Sequence, residues 1–509
     1  MKKTIALIIA AVMLMAAMTG CGSSAGKDAA ADEVKTVAFS LLSGPASLDP
    51  ATTTDGASLM VEIQLYNTLV NSDGGNSAEI KPELAKSWTV SDDGLEYTFD
   101  LRDDVTFHNG KKFVAADAAY TFERVMTEPY TSYLAVMIDS VEAVDDTTFK
   151  VTLSYPFADF LTMIGGIYFG ICTEEAITSG SDFMYRPVGT GPYMLEGSYV
   201  PGQSFSFVYN ENYFGDEPDI KRINFVIQPD TNTSVIALQN HEVDFVPSLT
   251  VNDIATVEAD ENLALYQEPS FTIHYVVFNK TTEPFSIKEV REAFNYAINK
   301  QDLLDGAVDG IGSIANSPLN SLMMGYTEDI PFNEYDIEAA KAKLAEAGYP
   351  DGFSCKLMVN SNNAVSMKIA QILQNQLSKI GVNLTVDQLE KATWSDNLTN
   401  VNFECALGTL NWPDSNNMVT YLYHSQGTFN YDKAYSNPEM DALIEEASRI
   451  LDADKRVELY KQIVELGHED LPIICLLFPS EIVGANKNID GIKIVDNSYF
   501  PVWTWTLNQ

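Results

Sequence analysis

The sequence predicts an α/β protein of several domain-sized units, with a mixed sheet covered by helices on both faces. Three observations lead there. The chain has 509 residues, which at roughly 150 residues per domain suggests about three units. Apolar residues make up 46% and aromatics 11%, enough for sizeable cores and more than a disordered acidic chain carries. From Val34 onward short strand patterns alternate with amphipathic helices, the order expected of a sheet packed between helices.

The first element stands apart from that fold. Lys2 and Lys3 precede an apolar run from Ile5 to Met18, which is 14 residues long. That is too short to cross ~30 Å of hydrocarbon, so residues 1–20 read as a signal peptide. Met18-Thr19-Gly20-Cys21 resembles the lipobox of bacterial lipoproteins, in which the cysteine is acylated, with palmitate among the expected chains, and becomes the first residue of the mature protein. Cys21 is therefore the expected lipidation site, since more than one acyl chain is needed for firm attachment. Residues 21–33, small and polar, are expected to form a flexible tether. An ordinary signal peptide with Cys21 incidental is the competing reading.

Within the fold, Trp88 to Phe107 reads as β meander. Ser91-Asp92-Asp93-Gly94 carries turn chemistry, and Tyr97, Phe99 and Leu101 alternate with polar residues. Asp145-Asp146 marks a second hairpin before Phe149, Val151 and Leu153, and these strands can face a helix over Ala116–Met126. Gly189-Thr190-Gly191-Pro192-Tyr193 reads as a structural turn. Pro192 removes a backbone donor and no helix follows, so nothing there cradles a phosphate. Further on, Ser286 and Glu289 have capping-box spacing ahead of an apolar stripe from Ile287 to Ile298. Asp336 opens a helix closed by Gly348, and Val365, Ile369, Leu373, Leu377 and Ile380 stripe another closed by Gly381. Asn437-Pro438 is an N-cap with proline at the first helical position, leading into Met440, Leu443, Ile444 and Ala447. Strands are predicted at Cys355–Val359, Val382–Val386 and Phe403–Leu407 between these helices.

Charge and motif content exclude several functions. There are 31 Lys and Arg against 71 Asp and Glu, a net charge of −40, which repels phosphate backbones and makes nucleic acid an unsuitable partner. No GxSxG, HExxH, P-loop or GxGxxG motif occurs, and the five histidines are widely separated, so neither an enzyme, a cofactor nor a metal site is predicted. Cys172, Cys355, Cys405 and Cys475 form no CxxC pair and are expected as buried thiols.

Pro82 to Trp88, Ser91 to Arg102 and Val105 to Phe113 closely resemble the signature of the extracellular solute-binding proteins of family 5, the oligopeptide, dipeptide and nickel binding components of ABC importers. Leu48-Asp49-Pro50, Pro187 to Tyr193, Glu242-Val243-Asp244, Val290 to Ala293 and Ala345 to Pro350 fit in order, so the resemblance spans about Val34 to Gln509. It implies a two-lobed periplasmic-binding-protein-like fold of type II, in the large class with an extra subdomain, and a ligand cleft between the lobes. Lobe I is expected at 34–75, 186–272 and 480–509, the subdomain at 76–185 and lobe II at 275–478, with hinge crossings near His274 to Asn279 and at Pro479. It also implies a monomer, lipid-anchored on the extracytoplasmic side of a cell membrane, that delivers a small solute to a permease with its ATPase subunits.

Peptide-binding relatives hold the ligand amine with an aspartate in a pattern resembling W-x-x-D-x-x-D-P. Here the corresponding stretch runs Gly408 to Asn417 and departs from it. In one register Asn411 takes the aspartate position and Asp414 the second acid; in another Asp414 is itself the amine ligand. Asn411, Trp412 and Asp414 are therefore the candidate ligand-binding residues, with Trp412 packed under the loop as the competing reading. Tyr421, Tyr423 and Trp394 are weaker candidates, more in keeping with core. A peptide is the leading ligand, with a nickel chelate, an oligosaccharide or an opine as alternatives, and a surface sensor of the same fold as the alternative role.

Overall fold

Two sheets share one strand. The computed structural model describes residues 34–72, 80–180, 182–330, 334–427, 435–494 and 499–508; the signal peptide, Cys21 and the tether lie outside the described residues. All strands and helices below belong to Lys35–Gln509.

The shared strand is Ile473–Asn486. Its second half pairs with Leu263–Pro269 and Phe245–Val246, and the sheet continues through Thr36–Leu41, Arg222–Ile227, Phe205–Tyr209 and Tyr193–Leu195. Its first half pairs with Thr272–Phe278, and the second sheet continues through Cys405–Asn411, Ser354–Asn360 and Asn383–Leu389. Both sheets mix parallel and antiparallel pairs, as Thr36–Leu41 shows in running parallel to Arg222–Ile227 and Thr272–Phe278 in running antiparallel to Cys405–Asn411.

The chain therefore passes between the sheets at Ser270–Phe271 and again at Pro479–Ser480. The two crossings are tied together: Ser270 Oγ donates to the Pro479 carbonyl at 2.5 Å, and Asn320 Nδ2 donates to the Ser270 carbonyl at 2.7 Å. The expected first crossing, His274 to Asn279, is corrected by this arrangement. Tyr275 and Val277 are buried in one core and Val276 and Phe278 in the other, so this strand is covered on both faces and the bend falls just before it.

A separate four-stranded antiparallel sheet carries Ala85–Val90, Glu96–Leu101, Thr148–Leu153 and Ile138–Ala143. Tyr97, Phe99 and Leu101 point inward as their alternation predicts, and the Gly94 amide closes the predicted turn on the Ser91 carbonyl at 2.9 Å. Helix Ala115–Thr127 covers this sheet with Phe122, whose ring meets Phe149 and Phe169 at 5.1 and 5.0 Å. Burying each such ring contributes about 1.5–3 kcal/mol.

Helix ends follow the predicted caps with one exception. Asp336 accepts from the amides of Glu338 and Ala339, and Asn437 from those of Glu439 and Met440. Ser286 is not an N-cap: its amide bonds the Thr282 carbonyl and the Ile287 amide bonds Pro284, which holds Ser286 in the preceding turn and makes Ile287 the cap of Lys288–Ala297. Gly189 and Gly191 lie against the end of helix Gly56–Leu65, where an added Cβ would stand 2.0 Å from the Leu65 oxygen and 2.4 Å from its carbonyl carbon. The turn is a packing device, as its sequence suggests. The four described cysteines are buried, unbridged thiols.

Candidate ligand-binding site

A cavity of about 590 Å³ opens where the second sheet faces the four-stranded subdomain and helix Gly56–Leu65. That volume is in the range of small-molecule sites.

The second sheet contributes Leu410 to Asp414 and Asn417. Strand Cys405–Asn411 ends as Asn411 pairs with Thr272, and Pro413, lacking an N–H, cannot extend it. Asp414 then caps helix Ser415–Tyr423, its Oδ1 accepting from the Asn417 amide at 2.8 Å. The carboxyl end of a strand running into a helix is where open α/β sheets place their ligands. Asn417 Nδ2 donates to Asp414 Oδ2 at 2.8 Å, and the Trp412 indole N–H makes a short bond to the same oxygen.

The subdomain contributes Tyr133, Phe157, Asp159 and the stretch Thr162 to Tyr168. Gly165 sits where a Cβ would be 2.7 Å from Ser72 Oγ, so this segment lies closely on the residues after helix Gly56–Leu65. That helix presents Leu59 and Ile63, one turn apart, followed by Tyr66 and Thr68. Glu83 accepts from the Thr68 amide at 2.9 Å and from Asn67 Nδ2 at 2.8 Å, and Tyr499 and Trp503 complete the wall.

Contacts beside the cavity join the subdomain to the helices of the second sheet. Arg456, on helix Ala453–Asp470, donates through Nη2 to both oxygens of Asp159 at 2.6 Å and to Tyr460 Oη at 3.2 Å. The Ala158 amide bonds the Ser448 carbonyl at 2.9 Å. Trp412 packs against the cores of both parts and meets Tyr421 edge-on at 5.1 Å.

Electrostatics single out Asp414. Burial, and then the charge of Asp159, push its carboxyl up to about 6, against the lowering effect of the Asn417 and Trp412 bonds. The Oδ1 atom of Asn411 is buried without a donor.

The structure thus brings Asn411, Trp412 and Asp414 together on one wall. Of the weaker candidates, Tyr423 is core, and Tyr421 and Trp394 pack against that core rather than line the cavity. Sequence reasoning missed Glu83, Asp159, Tyr168 and Trp503, which come from segments far apart in the chain. The only local signal was the Glu83 neighbourhood, which lies inside the stretch that carries the family resemblance.

Residues 79–431 match the family model described as bacterial extracellular solute-binding proteins, family 5 Middle. The heme-binding protein A of Haemophilus influenzae is 32% identical over 516 aligned positions, covering 93% of each chain. The dipeptide-binding protein of Escherichia coli K12 is 29% identical and covers 92% of this chain and 93% of its own. Among solved structures, that of HbpA2 from Haemophilus parasuis superposes with a TM-score of 0.84 at 29% identity, over 93% of this chain and all of that one. These relatives are binding proteins.

Proposed function

Because the chain belongs to the bacterial extracellular solute-binding proteins of family 5, we propose that it is the lipid-anchored receptor of an ABC importer, enclosing a short peptide between two hinged lobes and handing it to a membrane permease and its ATPase subunits. The observation that carries this reading is the cavity itself: its wall joins Asp414, capping a helix of the second sheet, to side chains of the subdomain and of helix Gly56–Leu65. A solute touching both parts favours the closed arrangement by its differential contacts, with no chemistry on the ligand. Lobe I comprises 34–75, 186–272 and 480–509, the subdomain 76–185, and lobe II 275–478. The receptor acts as a monomer, anchored through acylated Cys21 on the extracytoplasmic side of the cell membrane.

Two experiments test this. Thermal-shift screening of the mature chain against short peptides, nickel chelates and oligosaccharides should pick out peptides, with ~2.7 kcal/mol of added stability at a hundredfold excess over Kd. Stabilisation only by a nickel chelate or a sugar contradicts the peptide reading. In cells grown with radiolabelled palmitate, the wild-type protein should carry label and sediment with membranes, and Cys21→Ser should lose both; retained label in the variant contradicts the anchor.

A further inference from the structure

Most of the cavity wall is shielded from water. Among the described residues that line it, only Thr54, Gly56 and Tyr133 are exposed. They come from two segments that lie side by side. Thr54 and Gly56 lead into helix Gly56–Leu65, Tyr133 sits in the helical turn Ser132–Ala135, and Thr131 Oγ1 donates to the Ala51 carbonyl at 3.5 Å. Among the described residues the cavity therefore meets solvent at one place, between this loop and this turn.

Both sides of the opening are fixed. Arg124, on the helix that precedes the turn, donates through Nη1 and Nη2 to the two oxygens of Asp49 at 3.1 and 2.8 Å. Asp55 accepts from the Ser58 amide at 3.0 Å and from Ser58 Oγ at 2.6 Å, which holds the loop against the start of its helix. Neither segment belongs to the second sheet or its helices, so movement of that sheet against the subdomain leaves the spacing of the two segments as it is.

Outside the opening the surface is apolar. Residues 129–138 include no charged side chain, in a chain of net charge −40. Tyr130 and Val136 are 58% and 64% exposed and Tyr133 is 43% exposed, while Leu134 between them is buried and lines the cavity. One segment thus runs from the cavity wall to the outer surface. Large apolar side chains left in water beside a ligand site mark a surface that something covers, and the continuity with the cavity wall assigns that cover to the ligand.

Resting on the reading of this cavity as a peptide site, we propose that the peptide is not enclosed whole: one end leaves between Thr54 and Tyr133, and the residues beyond lie on Tyr130, Tyr133 and Val136. The site then accepts peptides longer than the cavity and prefers an apolar or aromatic residue in the part that emerges.

Calorimetry on the full mature chain tests this with Ala-Phe-Ala and four extensions of it: Gly-Gly-Phe or Gly-Gly-Ser added at the carboxyl end, and Phe-Gly-Gly or Ser-Gly-Gly added at the amino end. At one end, the serine extension should bind within about tenfold of the tripeptide, and the phenylalanine extension about fivefold or more tighter than the serine one. In the Tyr130→Ser/Val136→Ser variant, whose exposed positions lie outside the cavity, that phenylalanine advantage should fall below about twofold while Ala-Phe-Ala binds as in the wild type. Losses of more than about tenfold for extension at both ends, equal affinity of the phenylalanine and serine extensions, or an advantage that survives the double variant overturn this inference and leave the peptide reading standing. So does sedimentation of the wild type as a dimer and of the double variant as a monomer, which assigns the patch to a second copy. Failure of all five peptides to bind overturns both.

Discussion

At the residue scale, Asp414 combines two demands that conflict. As an N-cap it needs only an oxygen, and as a partner for a cation it needs a charge, which burial and Asp159 oppose. The groups that face it are Asp159 with its partner Arg456, Tyr421 and Tyr460, together with neutral Trp412 and Asn417. Its carboxyl is protonated below about 6, so affinity for an amine ligand should rise about tenfold per pH unit up to that point. It should then level off until the ligand's own amine deprotonates near ~8. Calorimetry from pH 4.5 to 8 checks this, and a flat profile contradicts it. Asp414→Asn should remove the pH dependence and weaken amine binding by about 2–5 kcal/mol. Glu62 offers a second residue-level test. Both its carboxylate oxygens are buried without a hydrogen-bond partner, and burial, then Asp49 and Asp55, raise its pKa well above the ordinary value. Since the unfolded chain releases this proton first as pH rises, the group costs the fold stability above the unfolded-state value. Glu62→Gln should therefore raise Tm at pH 8 more than at pH 5, by the order of the ~1–3 kcal/mol of an unsatisfied buried group. An equal or negative shift at both pH values contradicts that account.

At the element scale, the site depends on the junction where strand Cys405–Asn411 gives way to helix Ser415–Tyr423. Asn411, Trp412 and Asp414 were named from the family pattern over Gly408 to Asn417, whereas the junction itself is local: Pro413 cannot extend the strand and Asp414 caps the helix three residues from the Asn417 amide it accepts. The Asp336 and Asn437 caps were legible because a cap and its amides lie within three residues. The Ser286 expectation failed because a turn formed upstream claims the amides of Ser286 and Ile287, which helix-start spacing does not register. Asn437 also donates to Asp470 at 2.7 Å, which Tyr435 Oη bonds at 2.8 Å, linking this cap to the far end of helix Ala453–Asp470. Asn437→Ala should accordingly cost more than the ~1 kcal/mol of an ordinary cap. Asn437→Ser, which keeps an acceptor but shortens the donor, should recover part of the loss. Equal denaturation midpoints for wild type and Asn437→Ala contradict the linkage.

At the scale of the whole molecule, two crossings bonded through Ser270 and Pro479 join the sheets, and Asp159–Arg456 spans the subdomain and the second-sheet helices. The two-lobed plan could be anticipated from the order of family motifs. The pairing of Asp159 with Arg456 could not, since no short-range pattern relates residues 297 positions apart. Removing one partner of such a buried pair costs about 3–5 kcal/mol because the other is left uncompensated. Arg456→Ala should thus enlarge the radius of gyration of the ligand-free protein in small-angle scattering, and a ligand that bridges the cavity should reverse the change; an unchanged radius contradicts a closing role for the pair. The net charge of −40 is consistent with faster capture of cationic solutes at low ionic strength. The most direct test of the enclosed site is a crystal structure of the mature protein with a free-amine peptide. The account predicts the ligand inside the cavity, its ammonium within hydrogen-bond distance of Asp414 and its body touching both the subdomain and the Asn411–Asp414 wall. A peptide bound outside the cavity, or inside it with its amine turned away from Asp414, would contradict it.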